Sequence, residues 1–310
     1  MELAPHSQAP AWRSVWRAQA RAHPHAAAAL IAGAGAVLLL FVVSLKRLFA
    51  GEAEGALRFA LLGGAAGFLA TALGALPAFF LTRLASRVED ILLGFAAGMM
   101  LAASAFSLIL PGLAAGAALT GQPLAGAGLV VLGLIFGTAL MVGLDDFMPH
   151  EHAHLGVHGA GGERLSRVWL FVFAIALHNL PEGMAIGVAF SRGDWSVGLP
   201  LTTAIAVQDI PEGLAVAMAL KAAALPPGRA VAVAVASGLM EPVGALLGLG
   251  LAGGLAAAYP VGLGLAAGAM IFVVSHEVIP ETHRNGHQTP ATLGLMAGFA
   301  LMMVLDTTLG

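Results

Sequence analysis

Hydrophobic residues occur along this chain in long, uninterrupted runs, and the short stretches between them hold most of the polar and charged residues. Each run is continuously apolar rather than alternating, which favours helices over the strands of a barrel. A helix needs about 20 residues to cross a hydrocarbon core of about 30 Å. Runs of this length cover residues 26–45, 59–81, 91–117, 124–144, 168–190, 197–220, 229–253, 256–280 and 290–309. We therefore predict an all-α fold, a polytopic membrane helix bundle.

Composition supports this prediction and narrows the chemistry. The 310 residues are 59% hydrophobic and 10% charged, which is too apolar for a soluble domain of this size. The net charge of −3 is scattered and forms no basic stripe, so nucleic acid is excluded as a partner. Because the chain has no cysteine, any metal must be held by imidazole, carboxylate, amide or thioether groups.

Positive charge in the connections predicts the orientation. Residues 1–25 form a cytoplasmic tail, and the run 26–45 is a retained span because no cleavage site follows it. The C-terminus is then periplasmic, in a multi-pass protein of the inner membrane. This orientation places Arg13, Arg17, Arg21, Arg83, Arg87, Arg164, Arg167, Lys221, Arg229 and Arg284 inside, and Lys46, Arg47, Arg58 and Arg192 outside.

A short motif is repeated inside two neighbouring runs. HNLPEG begins at His178 and QDIPEG begins at Gln208, and each copy carries a proline and a glutamate within apolar sequence. On a helix, residues three and four apart share a face, so each span presents one cluster of polar side chains. The clusters are His178, Asn179 and Glu182 on one span, and Gln208, Asp209 and Glu212 on the next.

Buried carboxylates in a membrane cost a few kcal/mol each and need a partner. Glu241 in the following run adds another carboxylate, and no lysine or arginine lies at comparable depth. A bound cation is the natural partner, and this mixture of ligands suits Zn²⁺ or similar divalent ions. Hydrogen bonding between helices is the alternative for a single polar residue, but the repetition favours a metal site.

A second group of candidate ligands follows in SHEVIPE, with His276, Glu277 and Glu281. They form either a metal stop near the exit, facing Asp145, or a polar helix end. The loop 145–167 has no regular pattern and is either a solvated linker or a metal-capturing segment. Its histidines are His150, His152, His154 and His158.

Other polar positions carry weaker signals. Asp90, Ser107 and Asp306 lie in apolar runs and could line the approach to the site. Met100 is interpreted from its run alone as a packing residue. Small residues recur four apart, as in Gly63, Gly67 and Thr71 or Gly264 and Gly268, and this spacing lets helices pack closely.

The paired motifs HNLPEG and QDIPEG, with EPVGA and HEVIPE later, resemble the ZIP family of divalent-metal transporters. The resemblance covers residues 59–309 and implies eight core spans, preceded here by one extra N-terminal span. It implies a transport bundle (59–81 and 168–253) that moves against a dimerising scaffold (91–144 and 256–309). It also implies a two-metal site, with His178, Glu182, Gln208, Glu212 and Met100 around one ion, and Asn179, Asp209, Glu212, Glu182 and Glu241 around its neighbour. Gln208 departs from the histidine that many members have there.

The function that follows is carriage of Zn²⁺ into the cytoplasm by alternating access of elevator type. Zn²⁺ is the substrate, Cd²⁺ can substitute, Fe²⁺ and Mn²⁺ are further candidates, and no organic cofactor is expected. Partners are the lipid bilayer and a second copy of the chain. We predict no enzymatic activity; the alternatives are an intramembrane metal-dependent hydrolase, for which HEXXH is absent, and a metal sensor without flux.

Overall fold

The computed structural model describes residues 12–49, 54–147, 150–152, 156–158, 167–252 and 255–310. Side chains are described for 14–36, 38–39, 55–147, 178–252 and 255–310. The helices are α1 (Trp12–Ala22), α2 (Pro24–Phe49), α3 (Glu54–Ala75), α4 (Ser86–Ala103), α5 (Leu110–Thr120), α6 (Pro123–Phe147), α7 (Arg167–Ala189), α8 (Trp195–Ala222), α9 (Pro227–Ser237), α10 (Met240–Ala252), α11 (Ala258–Val273), α12 (Ile279–Thr282) and α13 (Gln288–Leu309). The described residues also form two short strands, β1 (His150–His152) and β2 (Gly156–His158), and the 3-10 helices Leu76–Phe79 and Phe190–Arg192.

The helical membrane fold is confirmed. Seven segments of the described residues are long and apolar enough to cross a bilayer, and α2 and α7 are 26 and 23 residues long. Large apolar side chains point outward, including Leu124 at 85% exposure and Leu293 at 66%. A multi-pass protein surrounded by lipid explains such a surface, whereas water would penalise it.

Two of the predicted runs contain a widened helical turn. Residues 104–109, between α4 and α5, and residues 274–278, between α11 and α12, are π-helical. Pro111 and Pro280 follow these segments, and a proline cannot donate to the carbonyl four residues earlier. The freed carbonyls are those of Ser107 and His276. Proline chemistry therefore accounts for both irregular turns.

The predicted span 229–253 is two helices rather than one. It consists of α9 and α10, which are separated by a turn at Gly238 and Leu239. The break begins α10 at Met240, so Glu241 lies in its first turn. The first backbone amides of a helix lack internal partners and carry partial positive charge. At this break the amides of Glu241 and Val243 instead donate to the carbonyl oxygens of Gly238 and Leu239, over 3.1 and 3.4 Å.

The N-terminal segments pack onto the rest of the bundle. A Cβ added to Gly33 would lie 2.6 Å from the backbone of Leu140, so α2 and α6 are in close contact. The predicted tail 1–25 contains helix α1, where Gln19 Nε2 donates to the carbonyl oxygen of Asp146 over 2.9 Å. The cytoplasmic location of this tail stays a prediction.

The histidine-containing loop also contains regular structure. Strands β1 and β2 pair antiparallel, with His150 opposite His158. Whether this loop is a solvated linker or a metal-capturing segment stays open. His154 lies outside the described residues, as do the side chains of His150, His152 and His158.

Glycines bring the long helices together in pairs. A Cβ on Gly183 of α7 would overlap the backbone of Glu241 on α10, and a Cβ on Gly213 of α8 would overlap the backbone of Thr71 on α3. Helix α4 packs against α13 in the same way at Gly98, and α6 packs against α11 at Gly137. This close packing positions α3, α7, α8 and α10 around one buried polar centre.

Candidate metal centre

Polar side chains from α7, α8 and α10 meet in the interior of the bundle. Glu182 comes from α7, and Asp209 and Glu212 come from α8. One oxygen from each of these carboxylates lies within 4.8 Å of the other two. Both helices continue through the prolines of their motifs, so each motif presents its glutamate to this centre.

The centre is buried and short of hydrogen bonds. Glu182, Gln208 and Glu241 are all 0% exposed. Gln208 Nε2 donates to Glu182 Oε1 over 2.5 Å. Within the described chain, no hydrogen-bond partner is present for Asn179 Oδ1, Glu182 Oε2, Gln208 Oε1, Asp209 Oδ2, Glu212 Oε1 or Glu241 Oε2.

The negative charge of the centre has no positive partner from lysine or arginine. No ion pair among the described residues joins either side chain to Glu182, Asp209, Glu212 or Glu241. Clustered carboxylates in a low-dielectric interior repel one another and need compensation. Carboxylate and amide oxygens are ligands for divalent cations, so the residues present fit a metal ion.

Helix α3 also reaches the centre. Thr71 Oγ1 donates to Glu241 Oε1 over 2.8 Å. A Cβ on Gly67 would overlap the Glu241 carboxylate and would lie 3.2 Å from Asp209 Oδ2. The four-residue spacing of Gly67 and Thr71 predicts helix packing but not this contact, because that spacing is the ordinary packing signal of membrane helices.

His178 lies at the edge of the centre and points toward another helix. Its Nε2 is 3.0 Å from Oε2 of Glu277, which belongs to the π-helical segment 274–278. His276 in the same segment has its Nε2 3.6 Å from Oδ2 of Asp145. Polar groups therefore continue from the carboxylate centre to the end of α6. Glu281 instead pairs with Arg284 over 3.1 Å.

The remaining predicted positions have contacts of their own. Asp90 accepts hydrogen bonds from Asn285, over 3.0 Å, and pairs with His287 over 2.8 Å. Ser107 Oγ donates to Asp306 Oδ1 over 2.6 Å. Met100, on α4, is 1% exposed and packs in the main hydrophobic core. Its role as a metal ligand, like the roles of the other named positions, stays a prediction.

This fold and this centre define a class of protein. A multi-pass helix bundle that buries several carboxylates without a cationic side chain is an ion-handling membrane protein.

Comparison with known proteins identifies the family. The family model described as ZIP Zinc transporter matches residues 148–306. The chain is 62% identical over 306 residues to Zinc transporter ZIPB of Bordetella bronchiseptica, covering 99% of each chain. It is 41% identical over 241 residues to Zinc transporter GufA of Myxococcus xanthus, covering 78% of this chain and 95% of that one. It is 35% identical over 223 residues to Zinc transporter ZupT of Corynebacterium glutamicum, covering 68% and 84%. The chain belongs to the ZIP family.

Membership of this family confirms the resemblance and the prediction that the chain is not an enzyme. The relatives are named as transporters, and none of these names describes a hydrolase. The family match includes α7 to α12 and most of α13, which hold both motifs and Glu241, while the ZIPB similarity extends over nearly the whole chain.

Proposed function

We propose that this protein carries Zn²⁺ across the inner membrane into the cytoplasm, with the buried carboxylates as the binding site. The observation that supports this most strongly is the group formed by Glu182, Asp209 and Glu212, whose oxygens converge within 4.8 Å. In a structural polar network each buried polar atom has a hydrogen-bond partner. These carboxylates instead have oxygens that lack a partner and face one another. A divalent cation satisfies all of them at once.

The centre holds two neighbouring ions. Carboxylates that bridge two metals are the economical way to neutralise a cluster of this size, and Glu182 and Glu212 come from equivalent positions of the repeated motif. His178, Gln208 and Met100 complete one site. Asn179, Asp209 and Glu241 complete the other.

Release follows the polar groups that lead away from the centre. His178 is both a ligand candidate and a partner of Glu277, so an ion that loses His178 meets the Glu277 carboxylate next. Asp145 and His276 then continue the route, and the histidines of β1, β2 and their connection receive the ion outside the bilayer. The orientation rests on the excess of lysine and arginine at this end.

Transport proceeds by movement of one bundle against the other. The residues of the centre come from α3, α7, α8 and α10, all within the transport bundle (59–81 and 168–253), apart from Met100. Glycine contacts tie α3 to α8 and α7 to α10, so this bundle is suited to move as a unit. The scaffold (91–144 and 256–309) pairs with a second copy of the chain to form a homodimer.

A competition flux assay tests the function. Purified protein in liposomes is given Zn²⁺ together with Cd²⁺, Fe²⁺ or Mn²⁺, and uptake is compared with that of protein-free liposomes. We expect Zn²⁺ uptake to exceed the background and Cd²⁺ to compete most strongly, because both ions accept nitrogen and oxygen ligands. Absence of metal uptake by a folded protein in both membrane orientations contradicts the proposal.

Paired cysteines test the motion in a chain that has none of its own. A Cβ on Gly262 of the scaffold would lie 3.3 Å from Val188 Cγ1 of the transport bundle. The double variant Gly262→Cys/Val188→Cys should cross-link, stop flux and recover on reduction. The matched control is Gly112→Cys/Val130→Cys within the scaffold, where the corresponding distance is 3.2 Å. Full flux through the locked boundary pair would count against the elevator.

A further inference from the structure

Helix α3 lies against the Glu241 carboxylate of the metal centre at two positions, Gly67 and Thr71. Thr71 is 4% exposed and donates to Oε1 of Glu241 over 2.8 Å. Gly67, one helical turn earlier, leaves the space that the rest of this carboxylate occupies, since a Cβ there would overlap it. The remaining oxygen, Oε2, has no hydrogen-bond partner among the described residues.

We propose that Thr71 is a specificity-determining residue of the transporter, because it engages one Glu241 oxygen and leaves a single oxygen to face the carried metal ion. This inference rests on the proposed function and adds a positioning residue to its binding site. It assigns a role to α3, which contributes no carboxylate to the centre.

The hydroxyl is held in place by its surroundings. A Cβ on Gly213 of α8 would overlap the Thr71 carbonyl, so the two helices touch at this level. On another side, a Cβ on Gly238 would lie 3.1 Å from Thr71 Cβ. Gly238 belongs to the turn that precedes α10 and Glu241. The helix that carries the donor is thus fixed against α8 and against the turn that precedes the acceptor.

The number of free oxygens affects which ion fits. Zn²⁺ favours four ligands and binds a carboxylate well through one oxygen. Larger divalent ions accept more ligands and often bind both oxygens of a glutamate, as Ca²⁺ does. When Thr71 engages Oε1, Glu241 offers only Oε2, which favours the smaller ion. Without the hydroxyl, Glu241 can offer both oxygens, and the affinity for Cd²⁺ increases relative to the affinity for Zn²⁺.

The test compares two ions of equal charge in variants of the full chain. Binding of Zn²⁺ and of Cd²⁺ to detergent-purified protein is measured by titration calorimetry. In Thr71→Val, which keeps the shape and removes the hydroxyl, the ratio of the two dissociation constants should move toward Cd²⁺ by about tenfold or more, the scale of outer-shell changes around metals. Thr71→Ser keeps a hydroxyl and should restore the wild-type ratio.

A matched control removes a hydroxyl that does not contact the centre. Thr203 Oγ1 donates to the carbonyl of Leu199 within α8 over 2.8 Å, so Thr203→Val should leave the ratio unchanged. If Thr71→Val does not fold, Thr71→Ala removes the same donor with less bulk. A wild-type ratio in the folded variant, or a Thr71→Ser ratio equal to that of Thr71→Val, overturns the inference. Failure of the wild-type protein to bind or carry Zn²⁺ instead overturns the proposed function.

Discussion

Two buried carboxylates of this protein, Asp90 and Glu241, have opposite hydrogen-bonding environments. Asp90, at the start of α4, is 1% exposed, and both of its oxygens have partners in Asn285 and His287. Glu241 is 0% exposed, and one of its oxygens has no hydrogen-bond partner among the described residues. Burial alone therefore does not separate a structural acid from a binding acid.

The surroundings of the two acids explain the difference. Asp90 meets an imidazole and an amide that can donate, so its group is complete within the protein. Glu241 lies near Glu182, Asp209 and Glu212, which accept but cannot donate when ionised. Thr71 and Gln208 each donate to one oxygen of this cluster, other oxygens keep no donor among the described residues, and a cation would complete them. The contrast supports the proposal that the carried ion binds at the carboxylate centre rather than at the Asp90 group.

The largest expected effect is on transport itself. Glu212→Ala removes a carboxylate that both proposed ions would share, so Zn²⁺ flux should fall to the level of protein-free liposomes. Size-exclusion profiles and helical circular dichroism check that the variant is folded. Asp194→Asn is the matched control, because Asp194 caps α8 through Ser196 and asparagine also caps helices. Normal flux in folded Glu212→Ala would remove Glu212 from the site.

Zinc should stabilise the protein only through the carboxylate centre. At Zn²⁺ concentrations about 100 times the dissociation constant, binding adds about 2.7 kcal/mol to the free energy of unfolding. Glu182→Gln should lose most of this gain, whereas Asp90→Asn should keep it. Thermal unfolding with and without Zn²⁺ measures both. If Asp90→Asn lost as much of the zinc-dependent stabilisation as Glu182→Gln, the Asp90 group and the carboxylate centre would not differ in zinc binding.

The Asp90 group should act on stability instead. His287→Ala removes one partner of a buried carboxylate, and we expect a loss of about 1–3 kcal/mol in the free energy of unfolding. Zn²⁺ affinity should stay at its wild-type value. Arg284→Ala, three residues away on the same connection, is the control and should cost little because its ion pair is exposed.

Metal binding should depend on pH in a defined direction. Carboxylates and imidazoles bind metal in their deprotonated forms, so binding releases protons and weakens as the pH falls. Each proton released raises the dissociation constant about tenfold for each pH unit of acidification. Calorimetry in buffers of different ionisation enthalpy counts these protons. A buffer-independent enthalpy would mean that the ligands are not the acids and the histidine named here.

The smallest expected effect is that of Gln208→His on the preference between metal ions. It donates to Glu182 through Nε2 and leaves Oε1 for a metal. Gln208→His replaces this oxygen with a nitrogen ligand and should favour Zn²⁺ over Mn²⁺ by about threefold to tenfold, since imidazole suits Zn²⁺ and oxygen suits Mn²⁺. Competition flux measures the ratio. An unchanged ratio would place Gln208 outside the set of ligands.

The sequence predicts the membrane fold and the residues of the centre because both depend on short-range patterns. Apolar runs indicate spans, and a three-or-four-residue spacing indicates a shared face. The apolar runs do not predict the break at Gly238 and Leu239, because glycine is common inside membrane helices and does not by itself mark a turn. The contact between Thr71 and Glu241 is not predicted either, because these residues are far apart in sequence and meet only through helix packing.

The pairing of His178 with Glu277 is likewise not predicted from the sequence. Both residues were named as candidate ligands, but in separate groups on separate spans. The packing of α7 against the α11 region, which no local pattern encodes, brings the imidazole within 3.0 Å of the carboxylate. Periodicity therefore identifies the chemical groups, while the tertiary arrangement decides which of them are joined.

Anomalous X-ray scattering at the zinc absorption edge tests the central claim most directly. Crystals of the protein grown with Zn²⁺ should show anomalous density among Glu182, Asp209 and Glu212, with a second maximum beside Glu241. No density should appear between Asp90 and His287, which satisfy each other. Zinc density at Asp90, together with a metal-free carboxylate centre at saturating Zn²⁺, would contradict the account.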